Sequence, residues 1–156
     1  MNGNLINIFI FIDTVIYSIH ETLLTSAYYD TSIYTDPDAA VKFVADTKID
    51  ALACAFGTAH GFYKDAPKLD FERLSKIDSL IDVPIVMHGG SGVSEDDYRK
   101  VIERGVRKIN YYTYMAKAGG EAISSKVYSQ FHEALADAEL AMKENVKKAI
   151  TVFSGL

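Results

Sequence analysis

Short apolar runs alternate along the chain with segments in which apolar residues recur every three or four positions. Predicted strands are the runs at 5–12, 49–57, 83–88 and 106–115. Predicted helices are the periodic segments at 36–47, 69–81 and 94–105, and a further helical region from about 116 to 153. Strands that are apolar on both faces and alternate with helices are typical of parallel βα units. Doubly wound sheets and (β/α)8 barrels both fit this pattern.

Capping residues give the boundaries of two of these helices. Asp36 is a predicted N-cap with Pro37 at the first helical position. Ser94 is a second predicted N-cap with Asp97 three residues later, and Gly105 should end that helix. We expect the C-terminal helical region to break or bend near Gly119-Gly120.

The N-terminal 32 residues follow no clear pattern apart from the apolar run at 5–12. That run is too short to span a bilayer, and no Lys or Arg precedes it as in a signal peptide. A buried strand is therefore favoured, and we expect no membrane partner. The Thr-, Ser- and Tyr-rich segment 21–35 is a predicted loop.

Charge and cysteine content exclude several classes of function. The 156 residues include 16 Lys and Arg against 21 Asp and Glu, a formal net charge of −5. The basic pairs Arg107-Lys108 and Lys147-Lys148 are predicted to lie on solvated faces, so no nucleic-acid partner is expected. The single Cys54 excludes an intrachain disulfide and fits a reducing, cytoplasmic location. Its apolar neighbours indicate a packing role.

Two histidines follow predicted strand ends, and each precedes a glycine. His60 comes just after the second predicted strand and His88 ends the third. In parallel α/β folds, ligands bind at the carboxyl ends of the strands, so these side chains are candidate metal ligands. Each taken alone is more often a hydrogen-bonded polar residue, and a catalytic zinc site usually has three protein ligands. His20 and His132 are poorly placed for this role.

The turn Gly89-Gly90-Ser91-Gly92 is a candidate anion site. Backbone N–H groups of a glycine turn, together with a following helix N-terminus, suit a phosphate, although tight strand-to-helix turns also use glycine. The turn does not match a nucleophile elbow, G-x-S-x-G, because Val93 stands where the last glycine is needed. The dinucleotide fingerprint G-x-G-x-x-G is also absent after this strand. Asn110 and Thr113 follow the last strand and could hold phosphate oxygens or be surface polar groups.

Three strand-end motifs occur in a characteristic order: GTAHGFYKDAPKLDFERL, VPIVMHGGSGVS and VRKIN. Together with YTDPDAAVKFV and ENVKK they resemble the class II, zinc-dependent ketose-bisphosphate aldolases over residues 33 to about 153. The resemblance implies part of a (β/α)8 barrel, the C-terminal half, with parallel strands and a C-terminal helical extension. Residues 1–32 would be a divergent N-terminal segment with one strand, and 33–156 the C-terminal part of the barrel.

The resemblance also implies a reaction and a set of site residues. In the family, zinc polarises the carbonyl of dihydroxyacetone phosphate while a ketose 1,6-bisphosphate is reversibly cleaved to that product and an aldehyde phosphate. The implied residues are the zinc ligands His60 and His88 and the phosphate-binding residues Gly61, Gly89, Ser91, Asn110 and Thr113.

The family also has a third zinc histidine and an aspartate that donates a proton. No segment of this sequence matches the motifs that carry these two residues. A truncated, inactive chain that retains only sugar-phosphate binding is therefore an open alternative. A hydrolase with an oxyanion loop at His88 is less favoured, because no elbow serine accompanies it. The open strand edges of a half-barrel favour a homo-oligomer.

Overall fold

The computed structural model describes residues 9–11, 31–61 and 65–155, with the backbone alone for the first range. These ranges contain four strands, β1 (Phe9–Phe11), β2 (Leu52–Ala53), β3 (Ile85–Met87) and β4 (Val106–Asn110). Five α-helices accompany them, α1 (Pro37–Thr47), α2 (Phe71–Leu80), α3 (Glu95–Glu103), α4 (Thr113–Ser124) and α5 (Phe131–Ser154). A short 3₁₀ helix, Thr31–Ile33, precedes α1. The rest of the predicted 5–12 strand and most of the predicted 21–35 loop lie outside the described residues, as does His20.

The strands form one parallel sheet in the order β1-β4-β3-β2. Leu52 pairs with Ile85, and Ile85 pairs with Val106. The backbone of β1 pairs with β4 on its other side, where Phe9 is the Cα partner of Lys108. The structure confirms the predicted α/β fold with parallel strands. Since all the strands run in one direction, their carboxyl ends lie along a single edge of the sheet.

The two faces of the sheet have different surroundings. One face packs against the helices and forms the core with these fully or almost fully buried side chains: Phe56, Leu74, Ile77, Ile85, Met87, Val101, Ile109 and Phe153. Val86 and Lys108 are Cα partners outside this core cluster. Lys108 and Asn110 are two positions apart in β4, and their side chains contact each other, as expected for residues on one face of a strand. These side chains therefore lie on the face that corresponds to the inside of a barrel.

Two predicted helix starts are confirmed in atomic detail. The Asp36 carboxylate accepts the Ala39 N–H at 2.9 Å, with Pro37 at the first helical position. The Ser94 hydroxyl oxygen accepts the Asp97 N–H at 3.1 Å. These bonds satisfy donors that have no partner within the helix.

Gly105 ends α3 as predicted and joins it to β4. Its φ is +102°, and a Cβ there would lie 1.9 Å from the Asp78 carboxylate. Glycine is needed at this position both for the backbone conformation and for the close approach of α2.

The predicted strand at 49–57 is much shorter in the structure, where β2 has two residues. Its pairing is interrupted by the segment before α1, because the Ala55 N–H donates to Thr35 Oγ1 at 2.8 Å. The Thr35 N–H in turn donates to the Ala55 carbonyl at 2.9 Å. The chain beyond Ala53 is thus held by a loop rather than by the ladder.

The predicted strand at 106–115 is wrong beyond Asn110, because α4 begins at Thr113. Tyrosine favours strands, but tertiary contacts override this preference here. The Tyr111 hydroxyl donates to Asn145 Oδ1 of α5 at 2.9 Å, and its ring packs against Phe153. The Tyr112 N–H donates to Ser91 Oγ. Both contacts turn the chain away from the sheet direction.

The predicted break at Gly119-Gly120 is also wrong, because both glycines lie inside α4. A Cβ on Gly119 would lie 2.9 Å from Met142 Cγ, so glycine permits close packing of α4 on α5. The helices separate instead at residues 125–130. There Lys126 and Tyr128 both donate to the Asp137 carboxylate, at 2.5 and 2.9 Å. Within the described ranges, no helix combines the length and apolar character that crossing a bilayer requires.

Candidate functional site

His60 and His88 lie side by side at the carboxyl edge of the sheet. His88 directly follows β3 and is half-buried, whereas His60 is exposed in the loop after β2. Their ring centroids are 5.5 Å apart, and the ring planes are inclined at 57°. The structure thus brings together two histidines that are 28 positions apart (88 − 60) in the sequence.

His88 is in contact with a polar pair on the inner face of β4. Asn110 Nδ2 lies 2.9 Å from His88 Nδ1 and 3.2 Å from Nε2. Lys108 Nζ donates to Asn110 Oδ1. Because Lys108 occupies the amide oxygen, the amide nitrogen of Asn110 is turned toward the imidazole. Of the predicted solvated pair, Arg107 is exposed, whereas Lys108 is half-buried beside the site.

Gly89, which directly follows His88, packs against the backbone of the loop that carries His60. Its φ is +63°, and a Cβ at this position would lie 2.2 Å from the Ala59 carbonyl oxygen. No other residue type could pack so closely without moving the loop. His60 directly follows Ala59. The close contact between Gly89 and Ala59 therefore places His60 next to His88.

The rest of the glycine turn is fixed against β4 and α3. A Cβ on Gly90 would lie 2.8 Å from Ile109 Cγ2 and 2.9 Å from the Asn110 carbonyl oxygen. The Gly90 carbonyl accepts the Tyr98 hydroxyl and, at 3.4 Å, the Val93 N–H. The turn is consequently a well-packed feature of the fold.

Ser91 connects this turn to the start of α4. Its side chain is almost fully buried, and its Oγ accepts the Tyr112 N–H at 3.3 Å. Thr113 is the first residue of α4, which begins without a side-chain cap. The positive end of the α4 dipole therefore adjoins the glycine turn, and this arrangement favours a bound anion.

The predicted phosphate-binding residues are arranged in three parts. Gly89, Ser91 and Thr113 lie around the glycine turn and the α4 N-terminus. Asn110 follows β4 and contacts His88. Gly61 follows His60 and has a φ of +91°, and a Cβ there would meet no atom of the described residues within 4 Å.

Two histidines fit a zinc ion, but they are not a complete set of ligands. With Zn–N bonds of about 2 Å and tetrahedral angles, the ring centres of two imidazoles would lie about 5 Å apart. The observed 5.5 Å is close to this value. Among the residues that the structure describes, no group of three or more His, Cys, Asp or Glu side chains is placed to hold a metal.

Cys54 belongs to the core, as the sequence predicts. It is buried among apolar residues, and burial raises the pKa of its thiol to about 11. A thiol in this state is a poor nucleophile and a poor metal ligand.

Two residues that contact the site, Tyr98 and Lys108, were not predicted as site residues from the sequence. Lys108 could have been found, because it stands two positions before Asn110 and thus on the same face of a strand. Tyr98 gave no such signal. Its position fits the apolar face of α3, and nothing in the sequence shows where its hydroxyl group points.

The sequence profile described as Fructose-bisphosphate aldolase class-II matches residues 19–155. The chain belongs to this family, and the predicted resemblance is confirmed. Among solved structures, the chain is similar to the YdjI aldolase from Escherichia coli K12, with 37% sequence identity and a TM-score of 0.72 over 77% of this chain. It also resembles fructose-bisphosphate aldolase (Fba) from Campylobacter jejuni, with 21% identity and a TM-score of 0.66 over 80% of this chain. The second likeness shows the fold alone.

The chain spans less than half of either relative, since it covers 46% of each of those two chains. A complete (β/α)8 barrel has eight strands, whereas the described sheet has four. The described residues therefore form part of a barrel, as the sequence predicts.

Proposed function

We propose that this chain carries the zinc-binding and phosphate-binding part of a class II aldolase site. The reaction is the reversible aldol cleavage of a ketose 1,6-bisphosphate to dihydroxyacetone phosphate and an aldehyde phosphate. The observation that carries the proposal is the pairing of His60 with His88, whose ring centroids are 5.5 Å apart beside the glycine turn. Family membership supports aldolase chemistry in general.

His60 and His88 are the proposed zinc ligands. Bound zinc would supply Lewis-acid polarisation of the substrate carbonyl. Asn110 holds the His88 ring from the inner face of β4, and Lys108 holds the Asn110 amide. The amide nitrogen is a donor, so the ring nitrogen that it contacts acts as an acceptor, and zinc bound at that nitrogen would replace the Asn110 contact. A third ligand has to come from outside the described residues or from another chain.

The glycine turn and the α4 N-terminus are the proposed phosphate site. The Ser91 hydroxyl oxygen already accepts the Tyr112 N–H, so its proton can be donated to a phosphate oxygen. Thr113 adds a second hydroxyl at the first position of α4. Gly61 and Gly89 contribute backbone groups at the two adjoining loops, and Asn110 borders the site beside His88.

The proton donor and the binding site for the aldehyde half are assigned to no described residue. We propose that these groups are supplied by the part of the barrel that the described sheet lacks or by another copy in a homo-oligomer. The sugar bisphosphate is then bound between the two parts. A cytoplasmic location fits a phosphorylated sugar substrate and a single thiol.

A non-catalytic half-barrel that binds sugar phosphate is the second candidate. It is favoured by the packed glycine turn and the uncapped start of α4, which need no metal to bind an anion. This candidate retains the glycine turn and the α4 N-terminus but carries out no cleavage.

Turnover separates the two candidates. The purified chain is assayed with zinc on fructose and tagatose 1,6-bisphosphates, and the aldehyde and dihydroxyacetone phosphate products are measured. We expect cleavage that a chelator abolishes and zinc restores. His88→Ala should be inactive, while His132→Ala, on the exposed face of α5, is the matched control and should match the unmodified protein. Phosphate binding without cleavage by the folded chain would favour the second candidate.

A further inference from the structure

The Gly90 carbonyl is held by a side chain eight residues further along the chain. Tyr98 lies on α3, is almost fully buried, and donates its hydroxyl hydrogen bond to this carbonyl. A trans peptide is planar, so the carbonyl of Gly90 and the N–H of Ser91 point in opposite directions. With the carbonyl aimed at Tyr98, the Ser91 N–H points away from the Tyr98 ring and the helical core.

We infer that Tyr98 is a positioning residue for the anion site. It fixes the Gly90–Ser91 peptide in the orientation that presents the Ser91 N–H to a phosphate oxygen. The inference rests on the proposed phosphate site and deepens it, because it says which residue aims one of the backbone donors. The ψ angle of Gly90 sets the rotation of this peptide, and a residue without a Cβ restricts that angle less than any other. The Val93 N–H donates to the same carbonyl from within the turn at 3.4 Å, and Tyr98 adds the hydrogen bond that comes from outside the turn.

Tyr98 is itself held by the last turns of α5. The ring of Phe153 packs edge-on against Tyr98, with centroids 4.7 Å apart, and is 2% exposed. The Tyr111 ring also packs edge-on against Phe153, with centroids 6.0 Å apart. The C-terminal helix therefore supports the glycine turn through two aromatic contacts, although none of its own residues takes part in the proposed site.

The test compares Tyr98→Phe with the matched control Tyr111→Phe. Both tyrosines are buried, both contact Phe153, and each substitution removes a single hydroxyl group. Tyr111 donates to Asn145 on α5 rather than to the turn. Tyr98→Phe keeps the ring and its packing, so any loss of stability should be similar in the two variants.

The first measurement needs no ligand. The carbonyl carbon resonance of Gly90 is recorded by NMR in the unmodified protein and in both variants. We expect it to move upfield in Tyr98→Phe, as it should when a carbonyl loses a hydrogen bond, and to stay in place in Tyr111→Phe. An unchanged Gly90 carbonyl resonance in Tyr98→Phe overturns the inference. In the unmodified protein, the Tyr98 hydroxyl proton should be protected from solvent exchange, and rapid exchange would overturn the inference without any substitution.

The second measurement is a titration with inorganic phosphate, followed at the Ser91 amide. We expect the affinity of Tyr98→Phe to fall about tenfold, since one oriented donor is lost. Tyr111→Phe should bind like the unmodified protein. Equal affinities in the two variants overturn the inference. No phosphate binding by the unmodified protein overturns the proposed phosphate site instead, and the ligand-free carbonyl resonance still decides whether Tyr98 orients the turn.

Discussion

Gly89→Ala should destabilise the protein and weaken zinc binding, because this glycine holds the two histidine-bearing loops together. Two costs add up. A residue with a Cβ at a φ of +63° costs about 1–2 kcal/mol. The new Cβ would also lie 2.2 Å from the Ala59 carbonyl oxygen, well inside van der Waals contact. Forcing such a contact to relax costs about 1–3 kcal/mol. The sum is a loss of about 2–5 kcal/mol in the free energy of unfolding.

The relaxation should also change the distance between the histidines. The Ala59 backbone must move away from Gly89, and His60 is the next residue. A displacement of a ligand or its support typically costs about 10–100-fold in metal affinity. Urea denaturation gives the free energy of unfolding, and competition with a chromophoric chelator gives the zinc affinity.

Gly61→Ala is the matched control for this substitution. Gly61 also has a positive φ, +91°, but a Cβ there would meet no atom of the described chain within 4 Å. It should therefore show only the conformational cost of about 1–2 kcal/mol. If both variants lose the same stability and zinc affinity, the close contact between Gly89 and Ala59 does not hold the loops, and the reasoning is refuted.

Three further predictions concern packing, ionisation and phosphate binding. Gly120→Ala should raise the free energy of unfolding by about 0.5–1 kcal/mol in urea denaturation. Gly120 is an exposed helical position where a Cβ would clash with none of the described residues. A lower free energy of unfolding would contradict the continuous α4. Burial raises the Cys54 pKa from 9.0 to about 11, so above about pH 9 the unfolded state binds fewer protons and stability falls as the pH rises toward 11. The stability difference between the unmodified protein and Cys54→Ala should shrink over this window, and a constant difference would refute the assignment. Ser91→Ala should weaken sugar-phosphate binding by about 1–3 kcal/mol in calorimetry, and unchanged binding would exclude the hydroxyl as a ligand.

Much of the fold follows from local patterns in the sequence. The alternation of apolar runs with helical periodicity predicted the parallel sheet, and the capping residues Asp36 and Ser94 act as predicted. The errors occur where distant contacts decide the conformation. Tyr111 and Tyr112 have strand-forming side chains, yet their bonds to Asn145 and Ser91 lead the chain into α4.

Glycine was the most misleading signal in the helical region. Gly119 and Gly120 resemble a helix break, but Gly119 is needed for the approach of Met142 within a continuous helix. The actual interruption has no glycine or proline. It could have been found from Gln130 and Glu133, which form a capping box at the start of α5.

The candidate site was predicted as a set of residues but not as an arrangement. Strand ends in a parallel sheet share one edge, and this rule suffices to place His60 near His88. The orientation of Asn110 depends on Lys108, and the orientation of the glycine turn depends on Tyr98. The Lys108 contact follows from a spacing of two residues on one strand face, whereas the Tyr98 bond cannot be derived from spacing, because it depends on how α3 packs against the turn.

Zinc titration of the folded protein tests the central claim most directly. The unmodified chain, His60→Ala, His88→Ala and the control His132→Ala are titrated by competition with a chromophoric chelator. The account predicts that the unmodified protein and His132→Ala bind zinc with equal affinity, and that His88→Ala abolishes binding while His60→Ala severely weakens it. Unchanged zinc affinity in His60→Ala and His88→Ala would contradict the account, because the paired histidines would then not be the metal ligands.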